Sequence, residues 1–146
     1  EDVGILRVGN FSFPNWYFIQ YGKTEGLLDI TRAIKRSNDI FFYKVAEMVG
    51  LEKLGEMAKK FGLGGKLGID LPCEVAGNFP TEEWKIKNVG DNWYLGDTYH
   101  LGIGQGYLLV TPHQMNVWTS VIASEGTLYQ PHLVKNKELR IRNQGF

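Results

Sequence analysis

The stretch Ser37-Asn38-Asp39-Ile40-Phe41-Phe42-Tyr43 decides how the rest of the chain is read. Three small polar residues stand directly before a run that is apolar and aromatic on all sides, the pattern of a loop entering a buried helix. Ser37 is the expected N-cap, because its hydroxyl can accept from the free N–H groups of the first turn. Asp39 falls in that turn, where a negative charge suits the helix dipole. Two meanings stay open on these residues alone. The segment is a capped core helix and nothing more, or the helix pins the polar triplet at the floor of a cleft.

Working outward, Ile40, Phe41, Phe42, Tyr43, Val45, Ala46, Met48 and Val49 predict a helix over 38–49 buried on most sides, with Gly50 as its C-cap. A further helix is expected over about 51–61, where Leu51, Leu54, Met57, Ala58 and Phe61 form the apolar face. Upstream, Leu27, Ile30 and Ile34 give a helix at about 26–36 one apolar stripe, with Arg32, Lys35 and Arg36 facing out. Residues 1–22 intersperse aromatics with Gly9-Asn10 and Pro14-Asn15, which predicts short extended segments and turns without a helix. Residues 69–98 predict a long ordered loop carrying one helical turn near Thr81-Glu82-Glu83-Trp84. The strongest local grammar is at Thr111-Pro112-His113-Gln114: an N-cap, Pro at N1, and a Gln that completes a capping box. Met115, Trp118, Val121 and Ile122 are its expected buried stripe, Gly126 its end, and 127–134 a turn into a strand. The charged tail from Lys135 to Arg142 has no evident partner in the chain. The fold class expected is mainly α with short β segments at the two ends.

The chain has 146 residues, 43% hydrophobic and 22% charged, so one packed domain's worth of core is expected and disorder is not. Sixteen basic residues balance sixteen acidic ones, which argues against a nucleic-acid surface. A single cysteine, Cys73, excludes an internal disulfide and a Cys-cluster zinc site. No apolar run approaches the ~18 residues that span a bilayer. The glycine-rich stretches at 62–68 and 102–106 match neither phosphate-loop nor dinucleotide spacing, and close backbone packing explains the second better.

Several motifs recur in one order: the Ser37 to Tyr43 stretch, Phe61-Gly62-Leu63-Gly64, Gly68-Ile69-Asp70-Leu71-Pro72, Gly96-Asp97-Thr98, Gly102-Ile103-Gly104-Gln105-Gly106-Tyr107, Leu109-Val110-Thr111-Pro112-His113-Gln114-Met115, and Gly126-Thr127-Leu128-Tyr129-Gln130-Pro131-His132. Together they resemble the transpeptidase domain of class B penicillin-binding proteins, the rod-elongation type most closely, over roughly residues 24–134. The resemblance implies the helical lobe of an α/β penicillin-binding transpeptidase domain. It implies a peptidoglycan D,D-transpeptidase, in which a serine of an S-x-x-K motif attacks a D-Ala-D-Ala stem peptide and an amine of a second stem peptide resolves the acyl-enzyme. The second motif, S-x-N or S-x-D, is matched by Ser37 and Asp39. By resemblance Ser37 passes the proton to the leaving amine, and Asp39 orients a lysine or polar groups of the substrate; Asn is the more familiar residue at that third place. The implied partners are stem peptides, β-lactams and cell-wall elongation proteins. The implied location is the extracytoplasmic face of the bacterial membrane, with any anchor outside this chain.

The chain departs from the pattern at the nucleophile. Its four serines, Ser12, Ser37, Ser120 and Ser124, are followed three places on by Asn15, Ile40, Ala123 and Thr127, so no S-x-x-K exists. Lys23-Thr24-Glu25 stands before the second motif, not after it, and reads as a helix entry and not as K-[ST]-G. The expected domain content is therefore residues 1–146 as an incomplete transpeptidase domain, the segment between the first and third motifs. Some elongation-type relatives carry an Asp, His and Cys metal site ahead of the second motif. Residues 1–36 hold neither His nor Cys, so no metal and no cofactor are expected, and His100, His113 and His132 read as scattered polar residues. The alternative function is a nucleophile-free module that binds stem peptides or scaffolds a wall-building complex. A serine β-lactamase or β-lactam sensor fits the 96–115 pattern less well.

Overall fold

The computed structural model describes residues 1–134. It is mainly helical with one small sheet. Two compact units are present: Glu1–Gly50 with Tyr94–Gly106, and Leu51–Trp93 with the described chain from Tyr107.

The first unit opens on an antiparallel hairpin of β1 (Ile5–Val8) and β2 (Phe11–Pro14), in register Leu6 to Phe13 and Val8 to Phe11. The two-residue connection Gly9-Asn10 is made by Gly9 at φ 56°. The strands pair with each other. Helix α1 (Trp16–Tyr21) follows at once and corrects the expectation that 1–22 holds no helix. Its residues are apolar almost all round, which hides a helical period, and Gly22 in the left-handed region closes it. Helix α2 (Ile30–Arg36) is capped by the Asp29 side chain on Arg32 N–H. The chain around Lys23-Thr24-Glu25 is irregular and not a helix entry; Glu25 pairs with Arg36 instead. The expected α2 stripe is not buried either: Leu27 is 81% exposed and Ile30 and Ile34 are exposed, while Ala33 carries the buried side.

Helix α3 (Asp39–Val49) buries Ile40, Tyr43 and Ala46, one residue per turn, and exposes Met48 and Val49. Burial is thus confined to one face and not spread over most sides as the composition suggested. Gly50 closes it through its N–H to Ala46 O. Packed on that face is α6 (Leu95–Gly102), which falls where the sequence predicted the end of a loop. Two glycines in eight residues give it poor intrinsic propensity, and burial of Tyr99, Thr98 and Leu101 overrides that. Phe13, Tyr43 and Tyr99 form the aromatic centre, with ring centroids 4.9 to 6.0 Å apart.

The second unit holds α4 (Leu51–Lys60), α5 (Glu82–Val89) and α7 (Pro112–Ala123). The helical turn expected near Thr81 is a full helix, with Thr81 accepting from Trp84 N–H and Gly90 closing it. The capping box of α7 forms as expected: Thr111 Oγ1 accepts from Gln114 N–H, and Gln114 Oε1 accepts from Thr111 N–H. Its buried residues are Gln114, Val117 and Val121; of the expected stripe Val121 is buried and Trp118 half-buried, while Met115 and Ile122 are exposed. The buried Gln114 Nε2 also donates to Ala76 O and Gly65 O at 2.9 and 3.1 Å, and to Gly62 O at 3.4 Å. One amide thus orders the glycine-rich loop that the sequence left featureless. Leu67, Val117, Val121 and Leu128 are the apolar core beside it. Residues 127–134 form no strand among the described residues; Asp70 accepts from Leu133 and Val134 N–H and Gln130 donates to Gly68 O. The tail from Lys135 to Arg142 lies outside the described residues.

Candidate functional site

Ser37 and Asp39 sit at the corner between α2 and α3. Ser37 is not the N-cap of α3. It closes α2 instead, in the left-handed region at φ 50°, ψ 50°. Ser37 N–H donates to Ile34 O and Asn38 N–H to Ala33 O, the paired bonds of a Schellman motif whose left-handed residue is usually glycine. With Ser37 so used, Asn38 becomes the N-cap of α3, and its Oδ1 accepts from Phe41 N–H at 2.9 Å. A non-glycine residue held left-handed between two helices is the kind of local strain that clusters at functional corners.

Asp39 occupies the first turn, as the sequence suggested. Its Oδ2 accepts from Trp16 N–H at 2.8 Å, so the start of α1 is tied to the start of α3. Trp16 Nε1 donates to Arg36 O, and the Arg36 guanidinium lies over the Tyr17 ring at 4.8 Å. Burial pushes the Asp39 carboxyl above its ordinary value; the Trp16 N–H opposes this, and the charge of Asp2 adds to it. Burial, and then the Asp39 charge, push the Tyr43 hydroxyl up to about 12.

Ser37, Asp39, Phe42, Gly102, Ile103 and Gln105 line one hollow of about 340 Å³. Gly102 is required there, because a Cβ at this position would stand 2.5 Å from Ala46 Cβ and 3.1 Å from Phe42 O. The close packing expected for the 102–106 glycines is therefore a contact of α6 on α3. Of the expected residues, the structure brings Ser37 and Asp39 to one hollow. Tyr94 and Asp97 open α6, where Asp97 Oδ2 accepts from Tyr94 N–H. Asn15, Trp16 and Asp2 also hold the corner and are unmarked in the sequence, where nothing in their spacing sets them apart, whereas Asn38 stands in the polar triplet itself. No group of three or more His, Cys, Asp or Glu with metal-holding geometry occurs among the described residues.

A hydroxyl and a carboxylate at one hollow suit proton transfer and the orientation of a polar substrate. Comparison with known proteins gives this geometry a family context. The profile described as penicillin binding protein transpeptidase domain matches residues 3–144. The Escherichia coli K12 peptidoglycan D,D-transpeptidase MrdA is 46% identical over 109 residues, covering 75% of this chain and 17% of that protein. The complex of PBP2 and MreC from Helicobacter pylori superposes with TM-score 0.86 at 34% identity, over 96% of this chain and 26% of that one. Pseudomonas aeruginosa PBP2 in complex with WCK 5153 superposes with TM-score 0.81 at 32% identity, over 97% of this chain and 34% of that one. The chain thus matches about a sixth of the length of the MrdA relative.

Proposed function

The chain belongs to the penicillin-binding protein transpeptidase family, among relatives of the rod-elongation MrdA and PBP2 type, and from that premise we propose that it supplies the second catalytic motif of a peptidoglycan D,D-transpeptidase. The observation that carries this reading is the shared hollow of Ser37 and Asp39 at the strained corner before α3. The reacting serine and its lysine, together with the K-[ST]-G strand, come from parts of the parent protein outside residues 1–146, since no S-x-x-K occurs in this sequence. The lysine takes the serine's proton as the serine oxygen attacks the D-Ala carbonyl, and an ester forms. The peptide C–N bond breaks, and the terminal D-Ala leaves as an amine that receives this proton by way of Ser37. Ser37 delivers the proton that amine needs, help worth about 10²–10⁴-fold. Asp39, anchored by Trp16 N–H, orients the lysine or the polar groups of the stem peptide. The amine of a second stem peptide then resolves the ester, and a β-lactam takes the first peptide's place at the same serine.

The Helicobacter pylori relative was solved with MreC, which supports cell-wall elongation proteins as partners of the parent. Its place is the extracytoplasmic face of the bacterial membrane. Among the described residues no helix is long and apolar enough to cross a membrane.

The test is intact-mass spectrometry after incubation with benzylpenicillin. The full-length protein gains one drug mass, its Ser37→Ala variant gains it far more slowly, and the isolated 146-residue chain gains nothing. An adduct on the isolated chain overturns the reading by placing a nucleophile within these residues, and no adduct on the full-length protein overturns it in favour of a nucleophile-free binding module.

A further inference from the structure

Asp2 is 2% exposed, and its carboxylate is committed to four neutral N–H donors. Oδ1 accepts from Gly4 N–H at 2.8 Å. Oδ2 accepts from Asn15 Nδ2 at 2.9 Å, Asn38 Nδ2 at 3.0 Å and Glu25 N–H at 3.0 Å. These donors replace the water that a buried carboxylate loses. Two of them lead to the Ser37-Asn38-Asp39 corner. Asn38, fully buried, uses its other side-chain atom, Oδ1, to cap α3 at Phe41 N–H. Asn15, also fully buried, uses Oδ1 to accept from Asp39 N–H at 3.3 Å. Because a carboxylate only accepts, each amide must turn its NH₂ to Asp2 and its oxygen to α3. Both planar amides are thus held at one end by Asp2 and at the other by the first turn of α3.

We propose that Asp2 is a positioning residue for the second motif: through Asn38 and Asn15 its carboxylate sets where Ser37 and Asp39 stand at the hollow. The proposal rests on the transpeptidase reading above and adds to it a part of the chain that no motif marks. Asp2→Asn is a severe change despite its shape, because both carboxylate oxygens accept from N–H groups and the new NH₂ must face at least one of them. A misplacement of about 1 Å at such a corner is expected to slow acylation about 10- to 100-fold.

The experiment uses the full-length protein and its Asp2→Asn, Asn38→Ser and doubly substituted forms. It reads the acylation rate with a fluorescent penicillin, the melting temperature, and amide exchange at residues 39–41. Asn38→Ser keeps a good capping oxygen for Phe41 N–H and removes only the NH₂ that meets Asp2. The expected result is acylation slowed in both single variants, drug binding before acylation little changed, and a double variant no slower than the worse single one. If Asp2→Asn fails to fold, Asn38→Ser decides alone. Wild-type acylation in a folded Asp2→Asn or Asn38→Ser protein overturns the proposal. If the wild-type protein itself is never acylated, the transpeptidase reading has failed. Amide exchange then still judges the positioning: faster exchange at 39–41 in both variants upholds it, and unchanged exchange overturns it.

Discussion

Gly102→Ala tests whether the hollow is shaped by direct contact of α6 on α3. The added methyl would stand 2.5 Å from Ala46 Cβ and 3.1 Å from Phe42 O. Carbon atoms need roughly 3.5 Å, so the two helices must part by about 1 Å locally. Ala46 is buried at the centre of α3's inward face, and Phe42 O is backbone, so neither can swing aside. Overpacking of this kind costs about 1–3 kcal/mol. Against it stands the better helix propensity of alanine, at most about 1 kcal/mol and less at the last residue of a helix. The net expectation is a loss of about 1–2 kcal/mol, or a melting temperature about 2–8 °C lower in the full-length protein. Because Gly102 also lines the hollow with Ser37 and Asp39, acylation by a fluorescent penicillin should slow as well. Ala46→Gly removes the opposing methyl, so the double variant Gly102→Ala, Ala46→Gly should be more stable than the sum of the single effects by about 1 kcal/mol. A Gly102→Ala protein that melts at or above the wild-type temperature and is labelled at the wild-type rate would refute the close contact.

Ser37→Gly relieves about 1 kcal/mol of left-handed strain, offset in part by the freer unfolded chain, so stability should hold or rise while acylation falls about 10²-fold or more; retained acylation would show that Ser37 only closes α2. Gln114→Leu strips partners from the Ala76, Gly65 and Gly62 carbonyls and from Thr111 N–H, and urea unfolding of the full-length protein should show a loss of about 3 kcal/mol or more; a loss under about 1 kcal/mol would mean that the loop does not depend on this amide. Burial raises the Asp39 carboxyl in the folded state, so its contribution to stability is present below its unfolded pKa and lost as pH rises through the folded one. Asp39→Asn should therefore gain stability relative to wild type as pH rises from about 3 to 7, which urea midpoints across that range would show, and a constant difference would contradict the buried placement.

The local grammar of this chain determined what local physics can determine. The capping box at Thr111 and Gln114, the glycine at the end of α3 and the first-turn place of Asp39 all follow from neighbours within four residues. The ordered motifs likewise marked the family and placed Ser37 and Asp39 together. Helix α6 was not legible, because its glycines argue against a helix and only the burial of Tyr99 against Tyr43 and Phe13 makes one. The exposed apolar stripes were misassigned for a related reason: periodicity shows that a helix has an apolar face but not which neighbours cover it. Ser37 and Asn38 exchanged roles because either can cap α3, and the choice belongs to α2, whose Schellman closure takes Ser37 first. The hub at Asp2 was beyond sequence reading altogether. Asp2, Asn15 and Asn38 are separated by 13 and 23 positions, and only the folded chain brings their polar groups together away from water, where each must find a partner.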